Sequence, residues 1–398
     1  MKNSFDKVFH VLGSRAFLIS FGASLAIVLL IFLIGSLMAA EGNRTEMADV
    51  FRENDVRTLR VPTPLEVEYD YEPEYEPCDK PPYPTLTSVL TGLRMYEGYA
   101  SRRPLAVVIN NIRVSLPQSG IAAADVVYEV LAEGDVTRLV AIFQSYFPEK
   151  IGSVRSARDY FIDFAWNHDA IFVFHGASQG GYARIRSTGI NNMDGLSLEG
   201  RVFWRDRSFP YWATNSGTRS LEHSSFTGRE QIESHIESAG LRNYMNTDPA
   251  LGFSFGEIPN TITSLGEARY VVVPFSRNYT RRFIFDEEEN IYRVKNNAGP
   301  HRCADTAEQA AVTNILIQLT QMRVIDNEGR RNVTTVGSGR GYLITGGKHF
   351  PVLWEKSSHT APMRWTFEDG TPLVISSGRT WICVFQNTDA IIFDYENE

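Results

Sequence analysis

Glu129, Glu133, Arg138, Arg155 and Arg158 fall within a single thirty-residue stretch. Clustered guanidinium groups match carboxylate or phosphate oxygens in bidentate fashion. The stretch therefore has two readings, a structural ion-pair network or a site for an anionic ligand. The two glutamates are not a general acid/base pair with each other. If both lie on one strand, an i to i+4 spacing separates them by about 13 Å at roughly 3.3 Å per residue, beyond the roughly 5–9.5 Å of glycosidase carboxylates. Either acid would neutralise Arg138, Arg155 or Arg158.

A second constellation is nucleophilic in type. Gly176-Ala177-Ser178-Gln179-Gly180 has the GxSxG form and sits between the apolar run Ala170–Phe174 and a helix predicted from about Gly181, the context a nucleophile elbow requires. Asp194 or Asp206 and then His223 complete a Ser–Asp–His order. Only 45 residues separate Ser178 from His223, a tight spacing for a hydrolase whose sheet is largely parallel. The milder reading makes His175, Ser178 and His223 polar ligand contacts, lining one pocket with Arg205, Asp206 and the arginines. Trp204, Tyr211 and Trp212 could stack on sugar faces, although core packing is the default for aromatic side chains.

Other chemistry finds no support. No CxxC or His/Cys cluster argues for zinc, and no cofactor motif is present. Gly337-Ser338-Gly339-Arg340-Gly341 is followed by strand-like residues instead of a helix, so it reads as a turn and not a phosphate cradle. Thr345-Gly346-Gly347-Lys348 reads as a hairpin turn. A net charge of −8 gives no basis for nucleic-acid binding. The three cysteines are Cys78, Cys303 and Cys383. An extracytoplasmic location would permit a Cys303–Cys383 disulfide, which sequence alone leaves open.

The elements that must position these residues are legible as apolar patterns. Val126–Leu131 and Thr137–Phe143 flank an acidic turn at Gly134 and read as a β-hairpin. Leu105–Ile109 and Ala170–Phe174 read as buried strands. Ser156–Trp166 has helical periodicity, with Arg155 and Arg158 at its start, where cations oppose the helix dipole and so call for an anion. Thr227–Ser238 reads as a helix capped by Thr227, with Glu230 at capping-box spacing. From about Gly256 the chain reads as nine strands separated by Gly, Asn and Asp turns.

Ahead of these elements lie three segments of different character. Residues 1–15 carry Lys2, Lys7 and Arg15. Ala16–Ala40 has no charge over 25 residues, roughly 37 Å of helix, enough to span a bilayer. The positive flank places residues 1–15 in the cytoplasm and the remainder outside. A cleaved signal peptide is the alternative, but Met38 stands where a small −3 residue is wanted. Residues 41–97, rich in Pro, Tyr and acids, read as an extended disordered spacer.

Across residues 100–395 the segments PLAVVINN, LPQSGIAAADVVYEVLAEGDVTRLVAIFQ, IGSVRSARDYFIDFA, DAIFVFHGAS, FWRD and EHSSFT, then GSGRGYLITGGK, LWEKSS and DGTPLVISSGRTWICV, occur in collinear order. In these the chain resembles the YerB family of bacterial envelope proteins. The resemblance implies a two-domain α+β ectodomain, residues 98–245 and 256–398, with a layered sheet-and-helix first domain and a strand-rich second one, on the outer face of a membrane. It brings no established reaction. Relatives are often lipoproteins, and here an apolar helix would stand in for the lipid. The family's His with an acid two residues on is replaced by His301 with Asp305 four residues on, and His223 keeps its place while its neighbours differ.

Together these observations lead to a membrane-anchored envelope protein that binds a cell-wall component, peptidoglycan foremost, or an envelope protein partner, through Glu129, Glu133, Arg138, Arg155, Arg158, His175, Arg205, Asp206 and His223. The alternative is an envelope hydrolase using a carboxylate such as Glu133 or a Ser178–Asp206–His223 arrangement.

Overall fold

The computed structural model describes residues 85–215, 217–246 and 253–394. The expected cytoplasmic stretch 1–15, membrane span 16–40 and spacer up to residue 84 lie outside them. Among the described residues no helix is long and apolar enough to cross a membrane.

The apolar runs become strands buried on both faces. These are β1 (Leu105–Asn110), β2 (Val126–Leu131) and β3 (Thr137–Phe143), every residue of them buried. β2 and β3 pair antiparallel around the acidic turn, and β1 pairs antiparallel with β3. The helix α1 (Asp159–Trp166) covers this layer with Tyr160, Phe161, Phe164 and Ala165. β4 (Ile171–Phe174), α2 (Gln179–Thr188) and β5 (Asn192–Asp194) follow, with β4 parallel to both β1 and β5. Strands covered on both faces read as continuous apolar runs, which is the pattern here. The helix α3 (Arg229–Ser238) closes this half.

The second half adds β6 (Tyr270–Ser276), β7 (Tyr279–Asp286) and β8 (Ile291–Asn296), an antiparallel meander whose residues alternate between interior and surface over much of its length. It belongs to a separate six-stranded sheet. β9 (Asn314–Leu319), β10 (Gly337–Thr345), β11 (Lys348–Lys356), β12 (Arg364–Phe367) and β13 (Thr380–Phe385) instead extend the first-half sheet. The join is β13. It runs parallel to β2 on one side, with Trp381 opposite Val127 and Cys383 opposite Glu129, and parallel to β9 on the other. Both halves thus share one eleven-stranded sheet.

Several local expectations are corrected. Residues 85–97, assigned by composition to the spacer, include a small hairpin of Thr85–Thr87 with Arg94–Tyr96. α1 begins at Asp159 with Arg158 as its extended N-cap, because Ala157 is still bridged to Ala177. The cap of α3 is Gly228, not Thr227. A Cβ at position 228 would lie 1.9 Å from the Glu149 carbonyl oxygen, while Thr227 sits in a strand and its hydroxyl donates to the Val202 carbonyl at 2.8 Å. The glycine run 337–341 is strand, not turn. A Cβ on Gly341 would stand 2.2 Å from the Ile317 carbonyl oxygen, so the absence of a side chain lets β10 lie against β9. Gly346-Gly347 is the hairpin turn expected, joining β10 to β11 with both φ angles positive. Cys303 and Cys383 are both buried free thiols, which answers the pairing that the sequence left open.

Candidate polar cleft

The arginine cluster is gathered around a single carboxylate. Glu133 accepts from Arg138 and Arg158 together, with Arg158 Nε to Glu133 Oε2 at 2.9 Å, and Arg138 also donates to the Ser156 carbonyl at 2.8 Å. Burial alone would raise the Glu133 carboxyl, but the two guanidinium groups outweigh it and hold it below the usual carboxylate range. Burial, with Arg158 alongside, pushes Arg138 down to about 10. Arg155 pairs elsewhere, with Glu222 at 2.8 Å. Glu129 contacts none of these three arginines. It lies on a strand buried on both faces, and its partner comes from the second half of the chain. The expectation that it would neutralise the cluster is therefore corrected.

The hydrolase geometry is also corrected. Ser178 is the N-cap of α2, with φ −65°, and its Oγ accepts from the Gly181 amide at 3.1 Å. An elbow serine sits instead on a strained turn with its Oγ presented outward. His223 Nδ1 meets Asn110 at 3.0 Å. Asp206 pairs with Lys150 at 2.5 Å and accepts from Ser208, and these contacts hold its carboxyl at about 2 against the opposing effect of burial. Asp194 is occupied by Tyr182 and by the Gly176 and Leu196 amides. His175 bridges Ser225 at 2.9 Å and Arg205 at 3.0 Å, while Arg205 holds Glu199 through two bonds. Burial first and the adjacent Arg205 second push His175 below its ordinary pKa. These groups satisfy one another in separate pairs, and no Ser–His contact links Ser178 to His223.

An open polar space lies between the loop after β1 and the rim of the β6–β8 meander. A cleft of about 320 Å³ is lined by Asn111, Arg113, Glu129, Tyr279, Arg281 and Asn296. A second, of about 600 Å³, is lined by Arg113, Gln118, Trp212, Asn296, His301 and Arg302. They share Arg113, Leu116, Asn296 and Ala298 and so adjoin.

The wall beneath them is a closed ring of hydrogen bonds. Arg281 on β7 donates to Glu129 on β2 at 2.7 and 3.0 Å. Arg281 also reaches His301 Nδ1 at 2.6 Å, and His301 Nε2 reaches Gln118 Oε1 at 2.8 Å. Gln118 donates to Asn111 Oδ1 at 2.9 Å, and Asn111 donates back to Glu129 at 3.3 Å. Thr137 and Trp381 supply further donors to Glu129 at 2.9 and 3.1 Å. Arg281 has only protons to give, so His301 Nδ1 is the acceptor and Nε2 carries the hydrogen that Gln118 accepts. A neutral histidine fits this circuit without a mismatch. Burial and the adjacent Arg281 push His301 well below its ordinary pKa in the same sense.

Sequence reasoning missed Asn111, Gln118 and Arg281 altogether. Their signal was polar residues set in or beside otherwise apolar runs, as in VVINN and LPQSG, without the charge density that marked the arginine cluster. His301 was noticed, but with Asp305 as its partner. Asp305 turns away to accept from Ser119 and the Gly120 amide.

Two family descriptions match the chain. "Protein of unknown function (DUF3048) N-terminal domain" covers residues 90–242 and the corresponding C-terminal domain covers residues 271–382. The chain is 33% identical over 310 residues to the Bacillus subtilis (strain 168) protein named "Putative lipoprotein YerB", spanning 77% of this chain and 88% of that one. The crystal structure of YerB from Bacillus subtilis superposes with a TM-score of 0.68 at 31% identity, covering 78% of this chain and all of the other. The ring residues of the cleft come from both matched segments, Asn111, Gln118 and Glu129 from the first and Arg281 and His301 from the second.

Proposed function

The chain belongs to the DUF3048 family, and from that premise we propose that it is a membrane-attached envelope protein whose polar cleft binds a cell-wall component, peptidoglycan foremost. Residues 16–40 are its attachment, the role that the name of the Bacillus relative gives to a lipid. The observation that carries the binding reading is the cleft itself. It is rimmed by Asn278, Asn296, Asn297, Tyr279 and Trp212, polar and aromatic groups suited to a hydrated, hydrogen-bonding ligand. Beneath them the buried groups are already paired with each other, so the wall is rigid before a ligand arrives. The Glu133 arginine cluster supports the fold at the hairpin turn in this reading, since Glu133 ties Arg138 and Arg158 together.

The test is co-sedimentation of the full chain, in detergent, with purified peptidoglycan. The chain is expected in the pellet, less of it after Asn296→Ala, with no soluble fragments released. Retention in the supernatant would remove wall binding and leave an envelope protein partner. Release of fragments would restore the hydrolytic alternative.

A further inference from the structure

The arginines singled out in the sequence and those of the cleft are not equivalent. Arg138 and Arg158 share Glu133, Arg155 holds Glu222, Arg205 holds Glu199 and Arg281 holds Glu129. Arg113 and Arg302 have no carboxylate partner among the described residues. Both are exposed, both line the larger cleft, and Arg113 lines the smaller one as well. Arg302 is steadied by one bond to the Ala307 carbonyl at 2.8 Å, which leaves the rest of its guanidinium fork open. The one acid in the lining of either cleft, Glu129, is already bonded to Arg281. A chain of net charge −8 thus keeps a locally positive space here.

The amides add a direction. Asn296 Oδ1 accepts from the Ala298 amide and Asn297 Oδ1 from the Thr280 amide, so both side chains turn their carbonyls inward to the backbone. Their Nδ2 groups carry no hydrogen bond among the described residues and remain as donors at the rim. Two open guanidinium groups with amide donors beside them form a surface that gives protons and accepts few. Its complement is a chain rich in carbonyls that carries a carboxylate.

We infer that the cleft takes a carboxylate-bearing peptide, with the carboxylate between Arg113 and Arg302 and the peptide carbonyls at Asn296 and Asn297. The inference rests on the wall-binding reading and specifies which part of the wall is held, the acidic peptide and not the sugar strand or a phosphate polymer. Trp212, Leu116 and Pro300 line the larger cleft beside the arginines and provide an apolar surface for the side chains of such a peptide.

The experiment titrates the full chain in detergent with three probes. They are muramidase-released peptidoglycan fragments, the same fragments with their carboxylates converted to amides, and poly(glycerol phosphate). Native fragments are expected to bind, and amidation to weaken binding about tenfold or more, the scale of a charge-assisted pair. Arg113→Ala and Arg302→Ala should each weaken native fragments by a similar factor and leave the amidated ones unaffected. Arg113→Lys should recover part of the loss. Because both side chains are exposed, thermal melting of the variants should match that of the parent chain. Equal binding of native and amidated fragments would overturn the carboxylate assignment while keeping wall binding. Binding of poly(glycerol phosphate) alone would overturn the peptide assignment in favour of a phosphate polymer. Binding of none of the three would overturn the wall-binding reading and this inference with it.

Discussion

Arg281 and Glu129, 152 residues apart in the chain, form a doubly hydrogen-bonded ion pair with both side chains at most 2% exposed. Such a pair is costly to break from one side, because the remaining charge stays buried without a counter-charge. Glu129→Gln or Arg281→Met is expected to destabilise the protein by about 3–5 kcal/mol, and the double substitution by less than the sum of the two. Denaturant unfolding of the four proteins in a double-mutant cycle measures this. Additive losses would show that the pair contributes nothing as a pair.

The neutral His301 makes stability depend on pH. Its native pKa lies well below the ordinary 6.5, so below pH 6.5 the unfolded chain takes up a proton that the folded one refuses. Stability is fully present above that value and falls as pH drops through 6.5 and below. His175 and His223, also lowered by burial, contribute in the same direction. His301→Gln can keep both hydrogen bonds and cannot titrate, so it should flatten part of the slope between pH 7 and 5. Melting temperatures across that range decide it, and an unchanged slope would count against a neutral buried His301.

Glu133 is the counter-charge for two arginines, one of them Arg138 at 5% exposure. Glu133→Gln should cost on the order of 2–3 kcal/mol, within the range for hydrogen bonds to charged groups, while wall binding at the cleft persists. A chain that keeps its melting temperature but loses ligand would return the cluster to the role of a binding site.

Ser178→Ala removes one helix cap. A loss of about 1 kcal/mol is expected, read as a small fall in melting temperature, with no change in any activity toward wall material. Abolished activity with unchanged stability would reinstate the nucleophile.

Alkylation without reductant should modify both Cys303 and Cys383 once the chain is unfolded, because neither is in a disulfide. Mass spectrometry of the digested protein reads this directly. An unmodified pair linked by a disulfide would contradict it.

How much of this was legible in the sequence depended on range. β2, β3 and β4 follow from runs of apolar residues, and their limits fall within a residue or so of the pattern. The Glu133 pairing with Arg138 and Arg158 spans 25 residues or fewer and was within reach of local reasoning. Arg281 with Glu129 and His301 with Gln118 were not, since nothing in the periodicity of β7 tells which strand lies across from it. Glu129 was therefore assigned to the nearest arginines. Ser178 was ambiguous for the opposite reason. A strand-to-helix turn rich in glycine satisfies the elbow motif, and only the φ of −65° and the bond to the Gly181 amide separate a cap from a nucleophile.

β13 carries a consequence for how the protein is made. It is among the last strands synthesised, yet it lies between β2 and β9 in the middle of the sheet, and Trp381 on it completes the coordination of Glu129. The sheet cannot close until residue 385 is available, so β2 waits with an exposed edge until β13 is made. Pairing over such sequence distance is slow. Under the envelope location proposed above, that delay would keep a stable fold from forming until nearly all of the chain has crossed the membrane. It also means that the first family segment made alone should present the bare edge of β2 and aggregate.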